Sequence, residues 1–133
     1  MIFLDTSFII SFYNEEDDNH KKAWKIMEDL IKDKYGDVVI SDYIFNECAT
    51  VLYLKLKDLK KTTLICETIK QIEIFRVSKG LFEETWKVFK NQKNTKLSFT
   101  DCSILALMRE KRIKHLATFD KEFSKINDIN IVG

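Results

Sequence analysis

Residues 1–7 read MIFLDTS, a short apolar run from Ile2 to Leu4 that stops on the carboxylate of Asp5. The run has the character of a buried strand, and a buried strand that ends on a charge needs a reason. One answer is local. Asp is a favoured N-cap, so Asp5 or Thr6 can satisfy free backbone N–H groups as the chain turns into a helix beginning near Ser7. The other answer is that further carboxylates converge on the same place, and reading outward from the strand tests it.

Downstream, helical and strand-like segments alternate, the order expected of an α/β fold with a mainly parallel sheet. Asn19 to Lys34 reads as an amphipathic helix with Ala23, Met27, Leu30 and Ile31 on one face. Gly36 is a helix stop, and Val38 to Ile40 makes a second strand. Ser41 or Asp42 caps a helix running to about Lys57, and Asp58 to about Gln71 reads as another. Ile72 to Val77 is a strand, Leu81 to about Lys90 a helix, and Phe99 to about Lys111 a helix entered through Ser98. His115 to Thr118 is a strand, Lys121 to Lys125 a short helix, and Ile129 to Val132 a last edge strand. About five strands with helices between them, and no repeat, low-complexity tract or linker, predict one domain over residues 1–133.

Composition agrees. A chain of 133 residues that is 45% hydrophobic and 12% aromatic can bury an ordinary core without staples. Cys48, Cys66 and Cys102 are odd in number, lack a C-x-x-C spacing and lie in apolar helical patterns. They read as buried reduced thiols, which predicts an intracellular, cytoplasmic protein. The first apolar run is short, lacks a basic leader and contains Asp5, unlike a signal peptide, and no stretch is long enough to span a membrane. Twenty-two basic against 21 acidic residues leave a net charge of +1, so no global basic excess announces a nucleic-acid binder. Charge is local instead: acid at Glu15, Glu16, Asp17 and Asp18, base at Lys55, Lys57, Lys60 and Lys61 and at Arg109, Lys111, Arg112 and Lys114. A solvated surface is the usual meaning of such runs.

Some chemistries are excluded and others are poorly supported. Gly occurs only at Gly36, Gly80 and Gly133, so neither a P-loop nor a G-x-G-x-x-G dinucleotide turn exists. There is no G-x-S-x-G, and His20 and His115 lack metal-ligand spacing. His20 is expected exposed on its helix and His115 at a strand edge.

Ligands of open parallel sheets bind outside the carboxyl ends of the strands, so acids placed there are the candidates. Asp5 follows IFL; Glu47 lies in YIFNECATVLYLKL; Asp101 lies in SFTDCSILALMRE; Asp120 lies in HLATFDKEF. Ser98 with Asp101 also fits a capping box, and Asp120 fits a cap of its own short helix. Glu47 is harder to dismiss, because it shares a helical stripe with Ile44, Val51 and Leu54 and has no basic residue one turn away. A divalent cation would stabilise all four, since Mg²⁺ and Mn²⁺ prefer hard oxygen ligands.

FLDTS, a Glu in the helix after the second strand, FTDCSILALM and LATFDKEF together resemble the four signature acids of the PIN domain, in order and over essentially the whole chain. Short single-domain members of this layout resemble the VapC toxins of VapBC toxin–antitoxin pairs. The resemblance implies a Rossmann-like three-layer α/β/α fold and a metal-dependent endoribonuclease using Mg²⁺ or Mn²⁺, with Asp5, Glu47, Asp101 and Asp120 as its acidic site. It further implies supporting hydroxyls from Thr6 or Ser7 and from Thr100. Asp5 and Asp101 are the expected direct ligands, with Glu47 and Asp120 completing the shell or orienting the attacking water. One departure is Cys102, where the family commonly carries Ala; both are small and apolar.

Phosphodiester hydrolysis requires an activated water and charge neutralised on the scissile phosphate, which is what a carboxylate-held metal supplies. Lys55, Lys57, Lys60 and Lys61 are candidates for holding the RNA backbone. A dehalogenase-type phosphatase would need a second acid where Ser7 stands, and a receiver domain would need a late Lys where the strand ends in Asp120. The non-enzymatic alternative is a PIN-like module that binds RNA or a protein without cutting. The helix from Asp42 to Lys57 is apolar nearly all round, more than one core can take. Either the next helix, carrying Leu59, Ile65, Ile69 and Ile72, covers the second face, or a homodimer partner or small antitoxin does.

Overall fold

A computed structural model describes residues 1–133, the whole chain. The elements run β1 (Ile2–Leu4), α1 (Thr6–Tyr13), α2 (His20–Ile31), β2 (Val38–Ser41), α3 (Asp42–Leu56), α4 (Leu59–Ile69), β3 (Glu73–Phe75), α5 (Lys79–Lys90), α6 (Phe99–Lys111), β4 (His115–Ala117), a 3-10 turn (Lys121–Lys125) and β5 (Asn130–Val132). The five strands form one sheet in the order β3-β2-β1-β4-β5, every pair parallel. The helices cover the sheet in the three-layer α/β/α arrangement.

Strand order decides where the site lies. From β1 the chain winds outward to β2 and β3, then returns to β1's other side for β4 and β5, so the topology switches between β1 and β4. Connections leaving these two strands diverge, and the crevice between them lies at the carboxyl ends. Asp5 follows β1 directly, and Asp120 follows β4 by three residues. β1 is buried at all three positions, as a central parallel strand must be, and Phe3, Phe8 and Phe123 are the largest wholly buried side chains.

Helix starts follow from capping chemistry. Asp5 caps α1 through Thr6 N at 2.8 Å, Ser41 caps α3, Asp58 caps α4, and Ser78 caps α5, which begins at Lys79, two residues ahead of the expected Leu81. Asp5 therefore is a cap, and α1 begins at Thr6, one residue ahead of the helix start expected near Ser7. α2 ends at Ile31, short of Lys34, where the chain turns through left-handed Asp33 and Gly36. On α2, Ile31 does not join the apolar face and is 77% exposed. It lies about 80° round the helix from Ala23, whereas Leu30 lies about 20° away and is buried. β3 is shorter than Ile72 to Val77 because only Glu73 to Phe75 register against β2. Cys48 and Cys102 are buried, with thiols pushed up to about 12 and about 11 by burial, while Cys66 is half-buried. No helix is long and apolar enough to cross a membrane.

Helix α4 packs on α3 but does not cover its surplus. Tyr53 and Leu54 of α3 and Leu59 and Leu64 of α4 stay exposed, Leu54 at 67%. Gly133 closes on Thr118 so tightly that a Cβ there would stand 1.9 Å from the Thr118 carbonyl oxygen.

Candidate active site

Asp5 is 4% exposed and fully engaged. Its Oδ1 accepts from Thr6 N, and its Oδ2 accepts from Ser7 Oγ at 2.8 Å and Thr118 Oγ1 at 2.7 Å. Ser7 Oγ accepts in turn from Phe119 N at 3.0 Å, and Thr118 Oγ1 from Asp120 N at 3.0 Å. A buried hydroxyl network thus joins the end of β1 to the end of β4. Burial pushes the Asp5 carboxyl up to about 6; the hydroxyls of Thr118 and Ser7 oppose the rise, and the charge of Asp101 adds to it.

Asp101 sits in the first turn of α6 with its capping box complete: its backbone N–H donates to Ser98 Oγ, and its own Oδ2 accepts from Ser98 N, both at 3.0 Å. Its carboxyl is also raised, chiefly by burial, with Asp120 and Glu47 adding like charge. Asp120 caps the 3-10 turn through Glu122 N at 2.9 Å, leaving its other oxygen free. Glu47 is half-buried on α3, and no hydrogen bond engages its carboxylate. These four acids, from four different elements, line one open cleft of about 550 Å³.

Thr6, Ser7 and Lys55 line the same cleft, Lys55 two turns beyond Glu47 on α3. Thr100 lines the neighbouring cavity instead. Lys61 borders a separate small cavity with Glu15 and Glu16, and Lys57 and Lys60 lie exposed outside the cleft. Residues that the sequence reading did not place there are Ser98, Ser11, Asp17 and Asn19, while Thr118 lies beneath the cleft as a support of Asp5. Asp17 Oδ1 accepts from Ser11 Oγ at 2.9 Å and Asn19 N at 2.8 Å, which folds the α1–α2 loop against the rim. His20 is not free on its helix: it is half-buried, Nδ1 lies 2.8 Å from Ser11 O, and Nε2 accepts from Trp24 Nε1 at 3.1 Å. The pattern around His20 is local and carried no sequence signal beyond spacing.

The donor set suits a hard divalent cation. Every candidate ligand is a carboxylate oxygen, two of the acids have carboxyls raised by burial, and Asp101, Asp120 and Glu47 each keep an oxygen without a partner. The acids ring the cleft without closing on one point, since no three His, Cys, Asp or Glu side chains form a ready ligand cluster. Thr6 Oγ1 is buried there with no hydrogen-bond partner.

A PIN domain family model matches residues 2–129. The chain is 27% identical over 134 residues to the 23S rRNA-specific endonuclease VapC20 of Mycobacterium tuberculosis, covering 98% of each. The crystal structure of that sarcin-ricin loop cleaving toxin superposes with a TM-score of 0.83 at 25% identity over 97% of both chains. Ribonuclease VapC6 of Methanocaldococcus jannaschii is 24% identical, covering 98% of this chain and 95% of its own. A toxin–antitoxin complex from Klebsiella pneumoniae shares the fold, with a TM-score of 0.70 at 20% identity over 98% of this chain and 96% of that one.

Proposed function

Since this chain belongs to the PIN domain family, we propose that it is an endoribonuclease dependent on Mg²⁺ or Mn²⁺, the toxin of a type II toxin–antitoxin pair. The observation that carries this reading is the convergence of Asp5, Glu47, Asp101 and Asp120 on one cleft at the β1–β4 switch point. The relatives named as ribonucleases and endonucleases support the same reaction class. Asp5 and Asp101 would hold the cation, with Glu47 and Asp120 completing the shell or orienting water. When bound, the ion supplies Lewis acidity toward the scissile phosphate and lowers the pKa of its water toward neutrality.

The chain's own residues prepare that chemistry. Ser7 and Thr118 fix the direction of the Asp5 carboxylate by donating to one oxygen. Ser98 holds Asp101 through the capping box, so both acids are set before substrate arrives. Lys55 lines the cleft and would meet the RNA backbone there, with Lys57, Lys60 and Lys61 extending positive charge beyond it. The partners implied are RNA, a second copy of the chain and a small antitoxin. The exposed apolar band of Tyr53, Leu54, Leu59 and Leu64 suits a protein partner. We place the action of this one PIN domain, residues 1–133, in the cytoplasm.

Purified protein should cut single-stranded or loop RNA with Mg²⁺ or Mn²⁺ and stop on addition of EDTA; undiminished cleavage in EDTA would sink the metal mechanism. Sequencing the fragment ends identifies the RNA and the cut. Sedimentation at micromolar concentration should give a dimer, and a monomer alone would refute that part.

A further inference from the structure

Beside the acidic cleft lies a second cavity of about 530 Å³ with a different character. Its walls include three aromatic rings, Tyr43 of α3, Phe82 of α5 and Phe99 of α6, with Asn46 and Thr100 at its edges. Glu47 lines both cavities. The first turn of α6 likewise serves both, since Phe99 and Thr100 immediately precede Asp101. Phe82 and Phe99 stand 5.3 Å apart between ring centroids, tilted by 54°, and Phe82 is 45% exposed. The side-chain amide of exposed Asn46 bonds to nothing in the chain, while its backbone carbonyl takes the hydroxyl of Thr50.

We propose that this aromatic cavity is a nucleobase subsite, which receives an unstacked base next to the scissile phosphate of a single-stranded RNA. Sequence-specific recognition of RNA depends on splayed bases stacked on aromatic rings and hydrogen-bonded at their edges, and both groups are present here. The contrast in charge assigns the two cavities different parts of one nucleotide. The acid cleft suits a cation-bridged phosphate, whereas the aromatic cavity, with Glu47 as its sole charged wall, suits an uncharged planar base. Stacking on Phe82 supplies affinity for any base, and the Asn46 amide, donor and acceptor together, discriminates among them. The proposal rests on the ribonuclease reading and adds to it where the base beside the cut is read.

The test uses the full chain in Ca²⁺, which offsets carboxylate repulsion, and single-stranded RNA hexamers carrying 2-aminopurine at successive positions. Stacking quenches that base, so the parent should quench one position on binding. Phe82→Leu keeps apolar bulk and removes the ring; binding should weaken roughly tenfold, as for loss of one stacked base, and the quench should disappear. Asn46→Ala should keep the quench and flatten the preference among the four bases at that position. Both residues are exposed, so neither change empties the core. Quenching by the parent without cleavage when Mn²⁺ replaces Ca²⁺ would overturn the nuclease reading and support the subsite. Cleavage with no quench at any position, or equal binding by parent and Phe82→Leu, would overturn the subsite alone. Loss of a dimer in Phe82→Leu at unchanged RNA affinity would assign the cavity to a second copy and also overturn it.

Discussion

Asp5 and Glu47 face the same cleft from different ground. Asp5 stands at the end of the central strand, 4% exposed, with three hydrogen bonds fixing its two oxygens. Glu47 stands in mid-helix, half-buried and without a hydrogen bond. The floor of the cleft is rigid and desolvated, and it holds its charge at a cost; the wall is solvated and free to change rotamer. In the proposed reaction such a site would fix one ligand in advance and let another adjust to the ion and substrate.

Replacing the floor acid should have the largest effect. Asp5→Asn should lower cleavage at least roughly hundredfold, beyond what loss of a supporting group around a metal costs. It should at the same time leave the metal-free protein as stable as the parent or more so. The sign follows from the raised carboxyl: with a folded pKa of about 6 against an ordinary 3.8, the native state holds the proton longer. Metal-free parent should therefore lose stability as pH rises from about 4 to about 6, by up to about 3 kcal/mol, and stay level above. Asp5→Asn should lack that descent. Thermal melts in EDTA across this range check it, and a parent whose stability rises over the interval would break the comparison. Adding Mg²⁺ or Mn²⁺ should raise the parent's melting temperature by mass action and the variant's much less.

Thr118→Val tests the support under the floor. It removes the 2.7 Å hydroxyl bond to Asp5 Oδ2 and leaves Asp120 N without its acceptor. Stability should fall by about 1–3 kcal/mol, and cleavage roughly tenfold to hundredfold. Glu47→Gln should then sharpen the contrast from the wall: cleavage should drop while metal-free stability stays within about 0.5 kcal/mol, as for a substitution that breaks no bond. The smallest effect concerns thiols. Half-buried Cys66 should be alkylated in the native protein, and Cys48 and Cys102 only on unfolding, which mass spectrometry of timed iodoacetamide reactions can show.

How far the sequence led depended on the range of the interaction. Alternating segments placed all five strands and most helices, because apolar period and caps such as Ser41 and Ser98 are written within a few residues. The acids were readable as a set for the same reason, each lying beside a strand or helix signal. Thr118 was not, because its importance comes from Asp5, 113 residues away, and nothing in LATFD marks a buried hydroxyl. Ile31 was misplaced because its spacing of eight from Ala23 leaves it about 80° round the helix, past the edge of the buried face. The local role of Asp5 as a cap and its place in the cleft are not rivals, since one carboxylate serves both.

The pairing of β1 with β4 also governs when the cleft can exist. Its registers join Ile2 to His115 and Leu4 to Ala117, the longest separations in the sheet. Closing so long a loop is entropically late, and such contacts slow folding. A chain emerging from the ribosome carries Asp5 for 113 residues before Thr118 appears, and Asp120 follows that. A product interrupted just before residue 115 retains strands β1 to β3 and Asp101 but lacks β4, Thr118 and Asp120, so the four acids cannot be assembled until β4 and the residues just after it have been made.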